Sequence, residues 1–404
     1  MQRRRGSRAA GGAAAEVRRA LMGVVAGGAL VLAVPGAGSG QGIAGPLDVT
    51  VPMPPTVANG TDGSAFLGYE LHLTNYSARP WTLERVAVRV GEAPEPSLAL
   101  LEGSELAGSL RYPGGRGQTG EVSPGVVAPV GPGAQVVVFL WLKADPERLG
   151  AADGLWHVIT VAQSDSAGQT SRIEVPYGPV PLVRSLPVLG PPLRGGTWLA
   201  ANGPSPTSGH GRALIPIGGS ARIAQRFAVD YVRVDEQDRT FAGDRADNAN
   251  YYAEDADALA VADGMVVAVK DSIPENVPGI NSRAVAITLE TVGGNYVILD
   301  IGDGLYAFYA HLRPGSLAVK VGDLVGRGDV LGKVGNSGNS TEPHLHLHLA
   351  DAATPLGAEG LPYAHDQFEL VGTCTALGGG CDRSGARTVR QAMPLRNDLI
   401  RFPG

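Results

Sequence analysis

Cysteine is almost missing from this chain: 404 residues contain two, Cys374 and Cys381. A metal site built on cysteine would need more ligands than that pair supplies. Excess positive charge is missing too. The formal charge is -6, and the first 39 residues hold six Arg against Glu16, a surplus of +5, so the remainder stands near -11. A nucleic-acid binder would show the opposite balance, and none is expected as a partner. Charged residues are scarce at 18% against 44% hydrophobic, which excludes a disordered polymer and allows one or two ordinary cores. Glycine and proline are plentiful. Their 58 and 30 residues interrupt the chain too often for a helical bundle or coiled coil and favour short strands joined by turns.

The amino terminus has the layout of an export signal. Basic residues through Arg19 precede an apolar run from Ala20 to Val34, followed by Pro35 and the small residues Ala37 and Ser39. That run falls short of the roughly 20 residues a membrane-spanning helix needs; an uncleaved anchor is the alternative to a signal over 1–39. Export to the periplasm, cell envelope or exterior implies an oxidising compartment, where Cys374 and Cys381, separated by a glycine-rich hexapeptide, are expected to form a local disulfide.

Alternating apolar stretches at Phe66–Leu73, Val86–Val90, Ala134–Leu142 and His157–Val161, separated by turn clusters, predict a β-sandwich-like domain over 46–183. A Pro-rich linker, 184–194, follows. The next segment, 195–370, is also β-rich, with strands predicted at Val285–Leu289, Tyr296–Asp300 and Tyr306–Tyr309, and residues 371–404 read as a tail carrying the disulfide. The fold class expected is mainly β: a sandwich followed by an antiparallel sheet with a groove.

The chemistry concentrates in Ser340-Thr-Glu-Pro-His-Leu-His-Leu-His-Leu349. In a strand, His344, His346 and His348 share one face while Leu345, Leu347 and Leu349 enter the core. Three imidazoles facing one way are costly unless something uses their nitrogens, and a metal ion would do so. Upstream stand Gln225-Arg-Phe-Ala-Val-Asp230, Ala258 to Val269, Tyr306-Ala-Phe-Tyr-Ala-His311, Val319 to Gly332, and Gly335-Asn-Ser-Gly-Asn-Ser-Thr341. This ordered set, spread over roughly 170 residues, resembles the lysostaphin-type (LytM-like) zinc metallopeptidases, exported enzymes that cut peptide bonds in bacterial peptidoglycan.

The resemblance implies one zinc ion held by Asp230 and His346, with His344 and His311 assisting catalysis. It also exposes a departure. The family's upstream motif has His four residues before Asp, and this chain has Arg226 there, which cannot act as a ligand. His210, the other upstream histidine of this segment, is the replacement the stretch Asn202–Asp230 implies; a surface histidine is the alternative. Glu342 and His348 stand where the family more often has Gly and Glu, and His348 is either an outer support of a ligand or a spare. Two polar loops, 235–255 and 273–279, are expected to narrow the groove. The function implied is a zinc-dependent metalloendopeptidase acting on peptidoglycan or another peptide, with a cell-envelope partner possible. A non-catalytic wall-binding or hydrolase-activating relative is the alternative.

Overall fold

The strand Ala65–Asn75 shows how the molecule is assembled. It is buried on both faces, although its alternation suggests one wet side. Its odd residues Leu67, Tyr69, Leu71 and Leu73 join Val86, Val138, Leu140 and Ile159 in the core of a sandwich. Its even residues face the second half of the chain: Phe66 stacks on Trp141 with centroids 4.6 Å apart and shares a core with Phe227 and Val229. The period of two therefore feeds two cores from one strand.

The computed structural model describes residues 45–91, 97–113, 126–150, 152–280 and 283–403. The signal expected over 1–39 lies outside them. Among the described residues, no helix is long and apolar enough to cross a membrane. The fold is mainly β, as expected. One sandwich sheet runs Leu47–Thr50, Ala65–Asn75, Gln135–Ala144, Leu110–Arg111, with Ala58–Asn59 also paired to the second of these; the other runs Ala99–Glu102, Thr82–Val90, Leu155–Ser164, Thr170–Val180. His157, at the centre of the sandwich, takes a hydrogen bond with the Tyr69 hydroxyl at 2.7 Å, a structural role.

The second half is built on one large sheet, with two separate two-stranded sheets beside it. Its middle strands lie in the order Thr197–Ala201, Val229–Val234, Leu345–Ala350, Tyr306–Leu312, Asn295–Asp300, Gly264–Lys270, all antiparallel. The structure corrects two expectations. Residues 371–404 are no tail: Ala364–Cys374, Arg387–Ala392 and Asp398–Arg401 are strands of this sheet, and Leu399 and Ile400 pair with Leu199 and Trp198. Their apolar side chains, Phe368, Leu370 and Ile400, complete the central core. Val285–Leu289 is a loop rather than a strand, because hydroxyls take over its backbone: the Thr288 amide donates to Thr291 Oγ1, which donates to the Ala286 carbonyl. The expected disulfide joins Cys374 to Cys381, which pair directly across a short hairpin.

The two halves meet on Arg226. Its guanidinium donates to Glu70 Oε1 at 2.6 Å and Oε2 at 3.2 Å on the sandwich, to Glu359 Oε2 at 2.7 Å and to the Gly360 carbonyl at 3.0 Å. All three charged side chains are at least 95% buried. The position where the resembled family carries a metal ligand is used here as a bolt between the halves.

Candidate metal centre

The site forms where strand register brings distant residues face to face. Asp230 lies directly opposite His346, and His346 directly opposite Ala310. Residues opposite each other in an antiparallel pair share a face, so Asp230 and His346 must meet although 116 positions separate them. Ala310 presents only a methyl group and leaves room above its strand. Leu345, Leu347 and Leu349 go to the core, as the alternation predicts.

His311 reaches the same cavity by breaking the rule. Strict alternation would send it to the core with Tyr309, while Ala310 faces the groove. The register slips between Asn295 and Val297, leaving an extra residue on the His311 strand, and His311 adopts a φ of 63°. Such a bulge re-aims a side chain next to an active site. The ring is pinned by Nδ1 donating to the Ser337 carbonyl at 2.8 Å. That approach requires glycine nearby: a Cβ on Gly338 would sit 2.2 Å from the Gly294 nitrogen.

The loop Ser205–Arg212 brings in His210, whose Nε2 is 3.5 Å from Asp230 Oδ2. His346 Nδ1 is 2.8 Å from Asp230 Oδ1 and His344 Nε2 3.5 Å from the same oxygen. One ligand atom each from His210, Asp230 and His346 fall within 4.8 Å of one another. The proposed ligands and catalytic residues named in advance, His210, Asp230, His311, His344 and His346, line one cavity of about 310 Å³, and His348 lies behind it. Arg226 is outside it, at the bolt described above.

Hydrogen bonds set the tautomers. A carbonyl only accepts, so His311 Nδ1 carries a proton toward Ser337, and His344 Nδ1 carries one toward the Glu342 carbonyl at 2.8 Å; both expose Nε2 to the cavity. Burial, reinforced by His344 and His346, holds His311 well below the ordinary histidine range, so it is neutral. Burial also opposes charge on His344, but the Asp230 carboxylate and the Glu342 carbonyl outweigh it and raise the pKa. Asp230 is buried, which favours its neutral form, yet His210 and His344 hold it well below the usual carboxylate range. The cavity thus contains a carboxylate, a neutral imidazole and one poised to take a proton.

Outer contacts complete the set. Asn202 Nδ2 donates to Asp230 Oδ2 at 3.2 Å, from a backbone φ of 52°. His346 Nε2 is 2.9 Å from Nδ1 of the buried His348, which orients the His346 ring. Sequence reasoning passed over Ser337: it lies in the Gly335–Thr341 motif, but nothing in its type signals that its carbonyl holds His311. The loops 235–255 and 273–279 do pack together, with Asn248 Nδ2 donating to the Asn276 carbonyl at 3.0 Å. With Thr341 and Glu342 they line a second cavity of about 780 Å³ that shares Thr341 with the first.

Comparison with known proteins covers part of this site. A model of peptidase family M23 matches residues 250–357, which include His311, His344 and His346 and begin beyond His210 and Asp230. The chain is 40% identical over 79 residues to Endolysin 2638A of Staphylococcus phage 2638A, covering 18% of this chain and 16% of that protein. It is 40% identical over 65 residues to peptidoglycan DD-endopeptidase ShyA of Vibrio cholerae serotype O1, covering 16% and 15%. The alignments thus span about one sixth of these relatives. Among solved structures, the catalytic domain of the prophage-encoded M23 protein EnpA from Enterococcus faecalis matches 44% of this chain and 93% of its own at 21% identity, TM-score 0.25. The lysostaphin catalytic domain from Staphylococcus simulans matches 39% and 83% at 24% identity, TM-score 0.22. The chain carries a peptidase family M23 domain.

Proposed function

We propose that the chain is an exported zinc metalloendopeptidase that hydrolyses peptide bonds in peptidoglycan cross-links or stem peptides. The observation that carries this reading is the convergence of His210, Asp230 and His346 on one point in a cavity also lined by His311 and His344. Two imidazoles and a carboxylate are the donor set of a catalytic zinc site that keeps one position open. Bonds of about 2.0–2.1 Å in a tetrahedron separate ligand atoms by roughly 3.3–3.5 Å, and His210 Nε2 lies 3.5 Å from Asp230 Oδ2. The residues fit the ion. When bound there, zinc supplies a Lewis acid for a peptide carbonyl and lowers the pKa of water toward about 7.

The chain's own residues do the rest. His311 presents an unprotonated Nε2 and accepts the proton of the attacking water. His344, whose Nδ1 proton is held by the Glu342 carbonyl and whose pKa Asp230 raises, takes up a proton at Nε2 and donates it to the developing oxyanion and the departing amine. His346 turns Nδ1 toward Asp230; with a metal on that nitrogen its single proton would sit on Nε2, from which it would donate to His348 Nδ1, 2.9 Å away. The match to a peptidoglycan DD-endopeptidase supports the substrate class, and the basic-then-apolar amino terminus with the disulfide supports export. His346→Ala is expected to lose both bound zinc and the release of peptides from isolated cell-wall sacculi. Sacculi digested by that variant at the wild-type rate would refute the proposal.

A further inference from the structure

Given His210 as a metal ligand, we propose that the amino-terminal sandwich supports the metal site from outside and that Arg212 is the positioning residue tying the His210 loop to it. Asp230 and His346 are placed by strand register, but His210 sits in a single 3-10 turn, His210–Arg212. A loop ligand must be held by something outside the sheet, or the ion bears the cost of ordering it.

That hold comes from the sandwich. Arg212 turns away from the cavity and donates from Nη1 to the Gly108 carbonyl at 2.7 Å, within the short helix Gly103–Ser109. Its guanidinium carbon lies 5.3 Å over the ring of Phe139, on the sandwich strand Gln135–Ala144. Nε closes the loop on itself by donating to the Pro206 carbonyl at 3.1 Å. Arg111, also on the sandwich, donates to the Arg212 carbonyl. Both the side chain and the backbone of Arg212 are thus gripped from the amino-terminal half, two residues from the imidazole that faces Asp230. Farther along the same segment, Arg226 is held by Glu70 of that half.

The arrangement explains a pairing of oddities in the sequence. Where the resembled family places its upstream histidine, this chain places the arginine that docks the halves, and the histidine that replaces it comes from a loop the docked half steadies. Removing the sandwich contact would leave Asp230 and His346 in place and the His210 loop held only from its own half, by Arg396 Nη1 on Thr207 Oγ1 at 3.0 Å and Ser208 Oγ on the Asn202 carbonyl at 3.2 Å.

The test uses the full chain. Zinc affinity is measured by chelator competition, and the visible absorption of the cobalt(II) form is recorded, for wild type, Arg212→Met, Phe139→Leu, His210→Ala and the Arg212→Met/His210→Ala double variant. Loss of an outer support costs about 10–100-fold in metal affinity. Arg212→Met is expected to fall in that range, with a cobalt spectrum moved toward that of His210→Ala, and Phe139→Leu to show a smaller loss of the same kind. The double variant should bind no more weakly than His210→Ala alone, because Arg212 acts only through His210. If Arg212→Met fails to fold, Phe139→Leu carries the test. Wild-type affinity in both variants overturns the proposal while leaving His210 as a ligand; so does an equal loss with and without His210. Wild-type affinity in His210→Ala overturns the ligand assignment, and this inference with it.

Discussion

Replacing Arg226 with Met tests what the bolt between the halves contributes. Arg226 makes four hydrogen bonds, three of them to Glu70 and Glu359 carboxylate oxygens. Glu359 retains Arg222 at 3.8 Å, but Glu70 is left buried without a cation. Breaking a buried pair by removing one partner costs about 3–5 kcal/mol, most of it the charge left behind. The loss must depend on pH. An unpaired buried carboxyl has a folded-state pKa above its unfolded value of about 4.3, so the variant's folded state keeps a proton the unfolded chain releases, and stability falls as pH rises through that window. The deficit is therefore largest near pH 7 and shrinks toward pH 4.5. Adding Glu70→Gln should recover part of it, since an amide is less costly to bury than a lone charge. Urea denaturation read by tryptophan fluorescence suits the question, because Trp141 lies at the seam and Trp198 in the core of the large sheet. A loss below about 1 kcal/mol at pH 7, or one equal at both pH values, would refute the reasoning.

Glu254 provides a second pH test. Burial, with Glu275 nearby, pushes its carboxyl up to about 8 from an ordinary 4.5, and Oε2 has no partner. The folded state therefore holds an extra proton between those values, and its stability declines as pH rises toward 8. Glu254→Gln should improve relative to wild type by about 3–4 kcal/mol between pH 5 and pH 8 in urea midpoints; an unchanged difference would sink the idea. Reducing or deleting the Cys374–Cys381 bridge, seven positions apart, should cost about 2–3 kcal/mol by loop-closure entropy, checked by melting with and without reductant. His311→Ala and His344→Ala should each lower kcat by about 10²–10⁴ while retaining zinc; loss of the metal, or an unaffected rate, would reassign them.

Much of the centre was legible before folding. The His-Leu alternation at 344–349 specifies its own two faces, and the separated motifs pointed to Asp230, His311, His344 and His346. His210 was legible only as an expectation prompted by the arginine at 226. The bulge at His311 was not legible: alternation assigns that residue to the core, and only the slip against Asn295 turns it outward. Val285–Leu289 misled because its β-branched residues fit a strand, while its Thr hydroxyls compete for the backbone.

Composition and local pattern determined what is periodic and short-range: a mainly β chain, strands with one apolar face, a disulfide across six residues, and a row of imidazoles. Tertiary structure alone decided what depends on contacts distant in sequence. It paired Asp230 with His346, placed both faces of Ala65–Asn75 in different cores, and joined residues 364–401 to the sheet. It also buried Arg226 between two glutamates 133 and 156 positions away. The physical reason is that periodicity records which face of a strand is apolar, while register and partner are set by the neighbour that covers that face.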